Sequence, residues 1–152
     1  MPVIVIGADT DMGRAILAQL DGRGGEIRAF VSDPGEGLTL KRRGLKVAVG
    51  DVSDASHVGG AALNCFSVIL VPECAFDERE RSFTDGPEAT VGSWAEALAD
   101  AAVQRVILIE DGRLPSAPAV LGAVPAELVA IPASGRSLEE VAAAAADADD
   151  VA

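Results

Sequence analysis

The residues with the clearest chemical potential form a seven-residue loop near the amino terminus, Gly7-Ala8-Asp9-Thr10-Asp11-Met12-Gly13. An apolar run, Val3–Ile6, precedes the loop, and an amphipathic segment follows it. A strand, a glycine turn and a helix in this order present backbone N–H groups at the start of the helix, where the helix dipole is positive. Such a helix start binds anions, and phosphate groups in particular. The pattern therefore predicts a phosphate-binding turn at residues 7–13.

Apolar runs alternate with helix-like segments along most of the chain. The predicted strands are Val3–Ile6, Ile27–Val31, Lys46–Val49, Ser67–Val71 and Arg105–Ile109, and the predicted helices lie near 12–21, 35–43, 54–64 and 87–102. This alternation predicts an α/β fold, a doubly wound parallel sheet of the Rossmann type with five or six strands in three layers. We expect one domain over residues 1–152, with a core at 1–110 and a short extension at 111–152.

The extension has weaker signals. Asp111–Pro125 is rich in Pro, Ala and Gly and predicts a loop with one short helical turn, and Glu127–Ile131 predicts a sixth strand. Ser137 and Glu140 form a capping box that predicts the start of a last helix. The acidic tail at 147–152 is predicted to fray, because carboxylates are unfavourable at a helix C-terminus.

Composition narrows the classes of function. The chain has 152 residues and a net charge of −12, which argues against a nucleic-acid partner because such proteins present a basic face. No apolar run approaches the roughly 20 residues that span a bilayer, so we expect no membrane partner. The two cysteines, Cys65 and Cys74, lack a CxxC spacing and are expected to be reduced. With no secretory signal, these features predict a cytoplasmic protein.

Four segments together resemble one family. Residues 7–13 are similar to the G-A-T-G-x-x-G loop of the atypical short-chain dehydrogenase/reductases, in particular the NmrA-like NAD(P)-binding proteins. Val31–Pro34, Gly50–Val52 and Ala101–Ile107 resemble the family's segments at strands 2, 3 and 5. A competing resemblance is to the regulatory nucleotide-binding domain of potassium transport systems. Its loop has one residue fewer between the first and last glycine, so the spacing here favours the dehydrogenase-like family.

The resemblance implies a dinucleotide cofactor, NAD or NADP. The cofactor-binding positions that it implies are Gly7, Asp9, Thr10, Asp11, Met12, Gly13, Ser32, Asp33, Gly50, Asp51, Val52 and Val71. Asp33 stands where an acid accepts hydrogen bonds from the adenine ribose, and Ser32 replaces an arginine that would hold a 2′-phosphate. This pair favours NAD, although Asp33-Pro34-Gly35 is also an ordinary turn. Asp51 either faces adenine or caps the following helix.

The loop departs from the family pattern at two defined positions, Asp9 and Thr10, and carries a second acid, Asp11, at a variable position. Thr10 replaces the middle glycine, and a left-handed backbone there would cost a β-branched residue about 1–2 kcal/mol. Asp9 and Asp11 each repel a phosphate, by about 0.7 kcal/mol at about 6 Å in water. A simpler role for Asp9 or Asp11 is to cap the first helix. Arg14 would offset part of this charge if it pointed at the ligand.

The catalytic pair of the family is missing. Active relatives use a tyrosine as proton donor and a lysine four residues later, but this sequence contains no tyrosine, and its only lysines are Lys41 and Lys46. Tyr–Lys redox chemistry is therefore excluded for this chain. Among the other conspicuous side chains, His57 is expected on a helix surface and Trp94 in the core.

Three hypotheses of function remain. The first is an NAD(P)-binding sensor or regulatory module without dehydrogenase catalysis, with a homo-oligomer or protein partner left open. The second is a scaffold or interaction protein whose nucleotide site has decayed. The third is an NAD(P)-dependent oxidoreductase of non-standard mechanism, since hydride transfer itself requires only cofactor and substrate in register.

Overall fold

A computed structural model describes residues 2–76 and 82–150 of the chain. Its strands are β1 (Val3–Ile6), β2 (Ile27–Val31), β3 (Lys46–Val49), β4 (Ser67–Leu70), β5 (Arg105–Glu110) and β6 (Glu127–Pro132). Its α-helices are α1 (Asp11–Leu20), α2 (Pro34–Arg42), α3 (Ala55–Ala62), α4 (Pro87–Ala101), α5 (Ala117–Gly122) and α6 (Leu138–Asp150). All strands are parallel, in the order β3-β2-β1-β4-β5-β6. The predicted doubly wound fold is confirmed.

The strand order reverses between β1 and β4, which lie side by side at the centre of the sheet. Val3 of β1 pairs with Ile27 of β2 on one side and with Ser67 of β4 on the other. Every residue of β1 and β4 is buried, as expected for strands that have helices on both faces. Ligands of open α/β sheets bind at the carboxyl ends of the strands, at such a reversal. The glycine loop lies at this end of β1.

Each face of the sheet has its own hydrophobic core. On one face α3, α4 and α5 pack around Trp94, which is fully buried, and the indole Nε1 donates to the carbonyl oxygen of Val52 at 2.8 Å. The predicted core position of Trp94 is confirmed. On the other face α1 and α6 cover Val5, Ile69 and Ile107. Both cysteines are free and buried, and burial raises the pKa of Cys65.

The C-terminal extension completes the sheet. Strand β6 pairs with β5, and α6 packs on α1. The start of α6 is as predicted, because the backbone N–H of Glu140 donates to Ser137 Oγ at 3.1 Å. No helix among the described residues is long and apolar enough to cross a membrane.

The prediction of a frayed tail is wrong for residues 147–150. Helix α6 continues to Asp150, and two of its last carboxylates pair with Arg23: Nη1 lies 2.9 Å from Asp147 Oδ1 and 2.8 Å from Asp150 Oδ2. Arg105 adds hydrogen bonds to the carbonyl oxygens of Ala148 and Asp149. Cations from distant parts of the chain therefore compensate the unfavourable acids at this helix end. Residues 151 and 152 lie outside the described residues.

Candidate functional site: the crevice at the carboxyl ends of the strands

The two glycines that remain in the loop are required by the loop itself. Gly7 has φ of +89°, a conformation that strains any other residue. A Cβ on Gly13 would lie 2.1 Å from the carbonyl oxygen of Gly7 and 2.7 Å from the Cα of Ala8. Gly13 thus permits α1 to pack closely on the turn that follows β1. The glycines fix a tight strand-to-helix turn whether or not a ligand binds.

Thr10 is the N-cap of α1, which corrects two expectations. Its backbone is extended, with φ of −95° and ψ of 164°, so the β-branched side chain carries no left-handed strain. Its Oγ1 accepts from the N–H of Gly13 at 3.0 Å and donates to the carbonyl oxygen of Gly7 at 2.7 Å. The proposal that Asp9 or Asp11 caps the helix is wrong. The threonine hydroxyl performs that role from the position between the two acids.

Asp11 and Met12 occupy the first two positions of α1. Within residues 2–76 and 82–150, nothing accepts a hydrogen bond from their backbone N–H groups. These donors point out of the helix start, where the dipole also favours an anion. The side chain of Asp11 is 81% exposed and forms an ion pair with Arg14 at 3.0 Å. The helix start therefore retains two donors for a phosphate group beside an exposed carboxylate.

Asp9 does not point at the helix start. Its Oδ2 accepts hydrogen bonds from the backbone N–H groups of Ser32 and Asp33, at 2.9 and 3.1 Å. The residue is only 9% exposed. This carboxylate therefore ties the turn after β1 to the carboxyl end of β2. Sequence spacing gave no indication of this contact, which joins residues more than 20 positions apart.

Arg14 is engaged with the protein's own acids, so the condition that it points at a ligand is not met. Its Nε and Nη2 donate to the two carboxylate oxygens of Glu36, at 2.6 and 2.9 Å, and Nη2 also donates to the carbonyl oxygen of Asp9. Hydrogen bonding to Glu36 raises the pKa of Arg14, although burial acts in the opposite direction. The Arg14–Glu36 pair links the first turns of α1 and α2.

Ser32 and Asp33 follow β2 and lie beside the glycine turn. Asp33 is the N-cap of α2, and its Oδ2 accepts from the N–H of Glu36 at 2.9 Å. The hydroxyl of Ser32 is buried and has no hydrogen-bond partner within the described part of the chain. A buried hydroxyl without a partner is unfavourable. This hydroxyl is available for a hydrogen bond to a ligand, at a point where doubly wound folds commonly bind a ribose.

Residues 50–52 follow β3 and are the third implied contact. Asp51 Oδ1 accepts from the N–H and hydroxyl of Ser53, and its Oδ2 accepts from the N–H of Ser82 at 2.9 Å. Asp54, and not Asp51, is the N-cap of α3. Of the two roles considered for Asp51, capping is therefore wrong. Its carboxylate connects this turn to the segment that precedes α4.

His57 differs from its expected place on the helix surface. The side chain is half-buried, and its ring meets that of Phe30 edge-on, with 5.1 Å between centroids. A Cβ on Gly50 would lie 2.3 Å from His57 Nδ1, so a larger residue at position 50 would force the His57 ring to move. The periodicity of the short helix α3 did not reveal that its first turn faces β2 and β3.

A crevice of about 240 Å³ opens beside the start of α1. Its wall is formed by the helix start, the ends of β4 and β5, and the segment between β6 and α6, through Asp11, Met12, Val71, Pro72, Glu73, Ile109, Asp111, Arg113, Ala133 and Leu138. A second cavity of about 230 Å³ shares Pro72, Ile109 and Asp111 and extends towards α5. The predicted contacts Met12 and Val71 therefore lie in one crevice at the reversal of strand order.

The far wall of the crevice carries one ion pair that sequence analysis did not assign. Asp111 accepts hydrogen bonds from Arg113, at 2.7 Å to Nη2, and the guanidinium lies 4.5 Å above the ring of Phe76. Burial acts to raise the pKa of Asp111, but the hydrogen bonds and charge of Arg113 outweigh it and hold that pKa below its ordinary value. Among the described residues no group of three His, Cys, Asp or Glu side chains is arranged to hold a metal ion.

A dinucleotide has a diphosphate, a nicotinamide half and an adenosine half, and the residues of the crevice fit the first two. The donors of Asp11 and Met12 suit a diphosphate, and the crevice beyond them suits a nicotinamide ring and its ribose. On the adenosine side Ser32 and Asp33 are in place, but part of their hydrogen-bonding capacity is used by Asp9 and by the helix cap.

Comparison with known proteins agrees with this geometry. No protein-family model matches the chain, and no curated protein is significantly similar in sequence. Among solved structures, triphenylmethane reductase from Citrobacter sp. superposes with a TM-score of 0.83 at 13% identity, covering 100% of this chain and 66% of the reductase. The same reductase complexed with NADP(H) gives a TM-score of 0.79 at 14% identity, covering 95% of this chain and 64% of that one.

A nucleoside-diphosphate-sugar epimerase from Staphylococcus aureus gives a TM-score of 0.70 at 16% identity, over 87% of this chain and 50% of the epimerase. This chain therefore spans about two thirds or less of the length of these proteins. At these identities the likeness is one of fold. The resemblance to NmrA-like short-chain dehydrogenase/reductases is confirmed at that level: the chain has the Rossmann-type fold of NAD(P)-binding reductases and epimerases.

Proposed function

We propose that this chain is a dinucleotide-binding module that senses NAD(H) or NADP(H) and does not itself carry out Tyr–Lys redox chemistry. The observation that carries the proposal is the start of α1. There, two backbone N–H groups, at Asp11 and Met12, lack an acceptor among the described residues and border the crevice at the strand-order reversal. The solved structures that share this fold include a reductase complexed with NADP(H).

Each part of the dinucleotide has candidate contacts. The turn from Gly7 to Gly13 would hold the diphosphate through main-chain donors. Ser32 and Asp33, with the Gly50–Val52 turn, would flank the adenosine. Val71 would lie beside the nicotinamide half, in the crevice. When bound, the nicotinamide ring supplies hydride acceptance or donation.

The residue types of the chain support binding without Tyr–Lys catalysis. The 152 residues contain no tyrosine, so no phenol within the chain protonates a substrate. The acids of the crevice that the structure describes include Asp111, whose carboxylate is held by Arg113. Binding without this catalysis leaves the bound nucleotide free to act as a reporter of redox state, read by a partner protein or a second copy of the chain.

The test is binding of all four nicotinamide nucleotides, measured by calorimetry and by the melting temperature. A ligand at 100 times its dissociation constant stabilises the folded state by about 2.7 kcal/mol, which moves the melting temperature by several degrees. Asp11→Asn removes an exposed carboxylate beside the diphosphate donors and is expected to tighten binding by about threefold. Asp21→Asn, at the other end of α1, is the charge-matched control and should leave the affinity unchanged.

A scaffold with a decayed nucleotide site is the second candidate. The observation in its favour is that the carboxylates of Asp9, Asp33 and Asp51 all accept backbone N–H groups of the protein itself. On this alternative no nucleotide shifts the melting temperature at millimolar concentration, for the wild type or for Asp11→Asn. That result would replace the sensor proposal with the scaffold.

A further inference from the structure

Asp9, in the turn after β1, accepts hydrogen bonds from two backbone N–H groups that follow the end of β2. Asp9 Oδ2 lies 2.9 Å from the backbone nitrogen of Ser32 and 3.1 Å from that of Asp33. Two adjacent N–H groups that converge on one oxygen form an anion-binding concavity. In this protein the concavity already contains a carboxylate.

These two N–H groups lie where the 2′ position of an adenine ribose is placed in doubly wound folds, about 20 residues after the last glycine of the loop. A ribose 2′-hydroxyl needs one or two hydrogen-bonding partners there, and the Asp33 carboxylate and the buried Ser32 hydroxyl are candidates. A 2′-phosphate has two negative charges near neutral pH and needs cations or free N–H donors. The requirements of NAD and of NADP therefore differ most at this point.

The remaining charges near the concavity do not favour a 2′-phosphate. The guanidinium of Arg14 donates two hydrogen bonds to the carboxylate of Glu36 and one to the carbonyl oxygen of Asp9. Asp33 adds a carboxylate beside Asp9. A 2′-phosphate would have to displace the Asp9 carboxylate from these N–H groups and lie next to the Asp33 carboxylate.

We infer that Asp9 is a specificity-determining residue: its carboxylate occupies the Ser32 and Asp33 N–H groups as an internal substitute for a phosphate, so that the site accepts NAD(H) and rejects NADP(H). The inference rests on the proposed function, and it separates this chain from its neighbour that was solved with NADP(H). It adds to Ser32 and Asp33 a determinant in the turn after β1, which acts through main-chain groups.

Two substitutions at Asp9 separate the effect of its negative charge from the effect of its hydrogen bonds to the Ser32 and Asp33 N–H groups. Asp9→Asn keeps an acceptor oxygen for both N–H groups and removes the charge, whereas Asp9→Ala also frees the two donors. Calorimetric titration of the wild type is expected to give at least tenfold tighter binding of NAD(H) than of NADP(H). This ratio should fall severalfold in Asp9→Asn and about tenfold or more in Asp9→Ala, through a gain in NADP(H) affinity, while NAD(H) affinity stays within about twofold.

Controls distinguish this mechanism from a general charge effect. Asp21→Asn removes one charge at the far end of α1 and should leave the ratio unchanged. Asp33→Asn should lower the ratio mainly by weakening NAD(H), since the proposed function makes its carboxylate the acceptor for the ribose hydroxyls. Asp9→Asn retains the tie between the two turns, so the test remains informative if Asp9→Ala does not fold.

The possible failures are distinct. Equal binding of NAD(H) and NADP(H) by the wild type, or a ratio that Asp9→Asn and Asp9→Ala leave unchanged, overturns the role of Asp9 and leaves the proposed function intact. Absence of binding by all four nucleotides overturns the proposed function, and the selectivity falls with it.

Discussion

The Cα of Gly13 faces the carbonyl oxygen of Gly7 so closely that a Cβ at position 13 would lie 2.1 Å from that oxygen. The neighbouring atoms are backbone and cannot rotate away. This contact fixes the separation between α1 and the turn after β1, and with it the orientation of the donors at the start of α1.

Gly13→Ala is therefore expected to destabilise the protein by about 3 kcal/mol in the absence of any ligand, at the upper end of the usual cost of overpacking. Gly92→Ala is the matched control, because a Cβ at this exposed position in α4 meets nothing within 4 Å. It should stabilise by roughly 0.5–1 kcal/mol, the usual gain of alanine over glycine in a helix. Urea unfolding measures both. Equal effects of the two variants would contradict the close-packing interpretation.

Thr10 is expected to contribute as a helix cap and not as a strained residue. Thr10→Ala removes the acceptor for the Gly13 N–H and should lower the free energy of unfolding by about 1 kcal/mol, whereas Thr10→Ser keeps the hydroxyl and should stay within about 0.5 kcal/mol of the wild type. The comparison uses the same denaturant series. Thr10→Gly is a third variant in the series. If it were more stable than Thr10→Ala and Thr10→Ser, the backbone at position 10 would be strained, contrary to the structure.

The Asp111–Arg113 pair predicts a pH dependence with a definite sign. The pKa of Asp111 is lowered from 3.8, chiefly because bonding to Arg113 outweighs burial, so the pair stabilises the folded state above about pH 4 and loses its effect as the pH falls through the folded-state pKa. Because the Arg113 side chain is 45% exposed, Asp111→Asn should cost less than about 1 kcal/mol at pH 7.

Unfolding of wild type and Asp111→Asn at about pH 7 and about pH 3 tests this sign. The difference between the two proteins should shrink at the lower pH. Arg113→Gln should reproduce the same pattern from the other partner. A difference that is independent of pH would show that the substitution acts through packing alone.

Arg23 is expected to hold the end of α6 in place. Arg23→Gln removes the partner of Asp147 and Asp150, so amide hydrogen exchange over residues 145–150 should accelerate severalfold, while the middle of α6 remains protected. Arg42→Gln, at the exposed end of α2, removes the same charge and should leave exchange in α6 unchanged. Unaltered exchange in Arg23→Gln would mean that the bonds from Arg105 are sufficient for this helix end.

The elements of the fold could be predicted because their signals are local. Buried parallel strands such as β1 and β5 are continuous apolar runs, and the Ser137–Glu140 box marks the start of α6 within four residues. The residue at which α1 begins in the glycine loop was harder to predict from the sequence. Asp9, Thr10 and Asp11 are all good capping residues, and only the backbone path selects Thr10.

The site could be predicted only in part, because its contacts join distant segments. The position of Ser32 and Asp33 beside the glycine turn follows from the strand order. The bond from Asp9 to their N–H groups depends on the direction of one side chain, which no sequence pattern encodes. The crevice wall from Leu138 and Arg113 comes from the extension, whose loop signals carry no information about which strand end it meets.

Cys74 and Gly7 lie in close contact, since a Cβ on Gly7 would come within 3.0 Å of the cysteine Sγ. The segment after β4 and the turn after β1 are therefore packed directly against each other, next to the residues that line the crevice. Close-packed contacts of this kind transmit displacement and do not absorb it. A displacement of the turn after β1 therefore requires the segment after β4 to move with it.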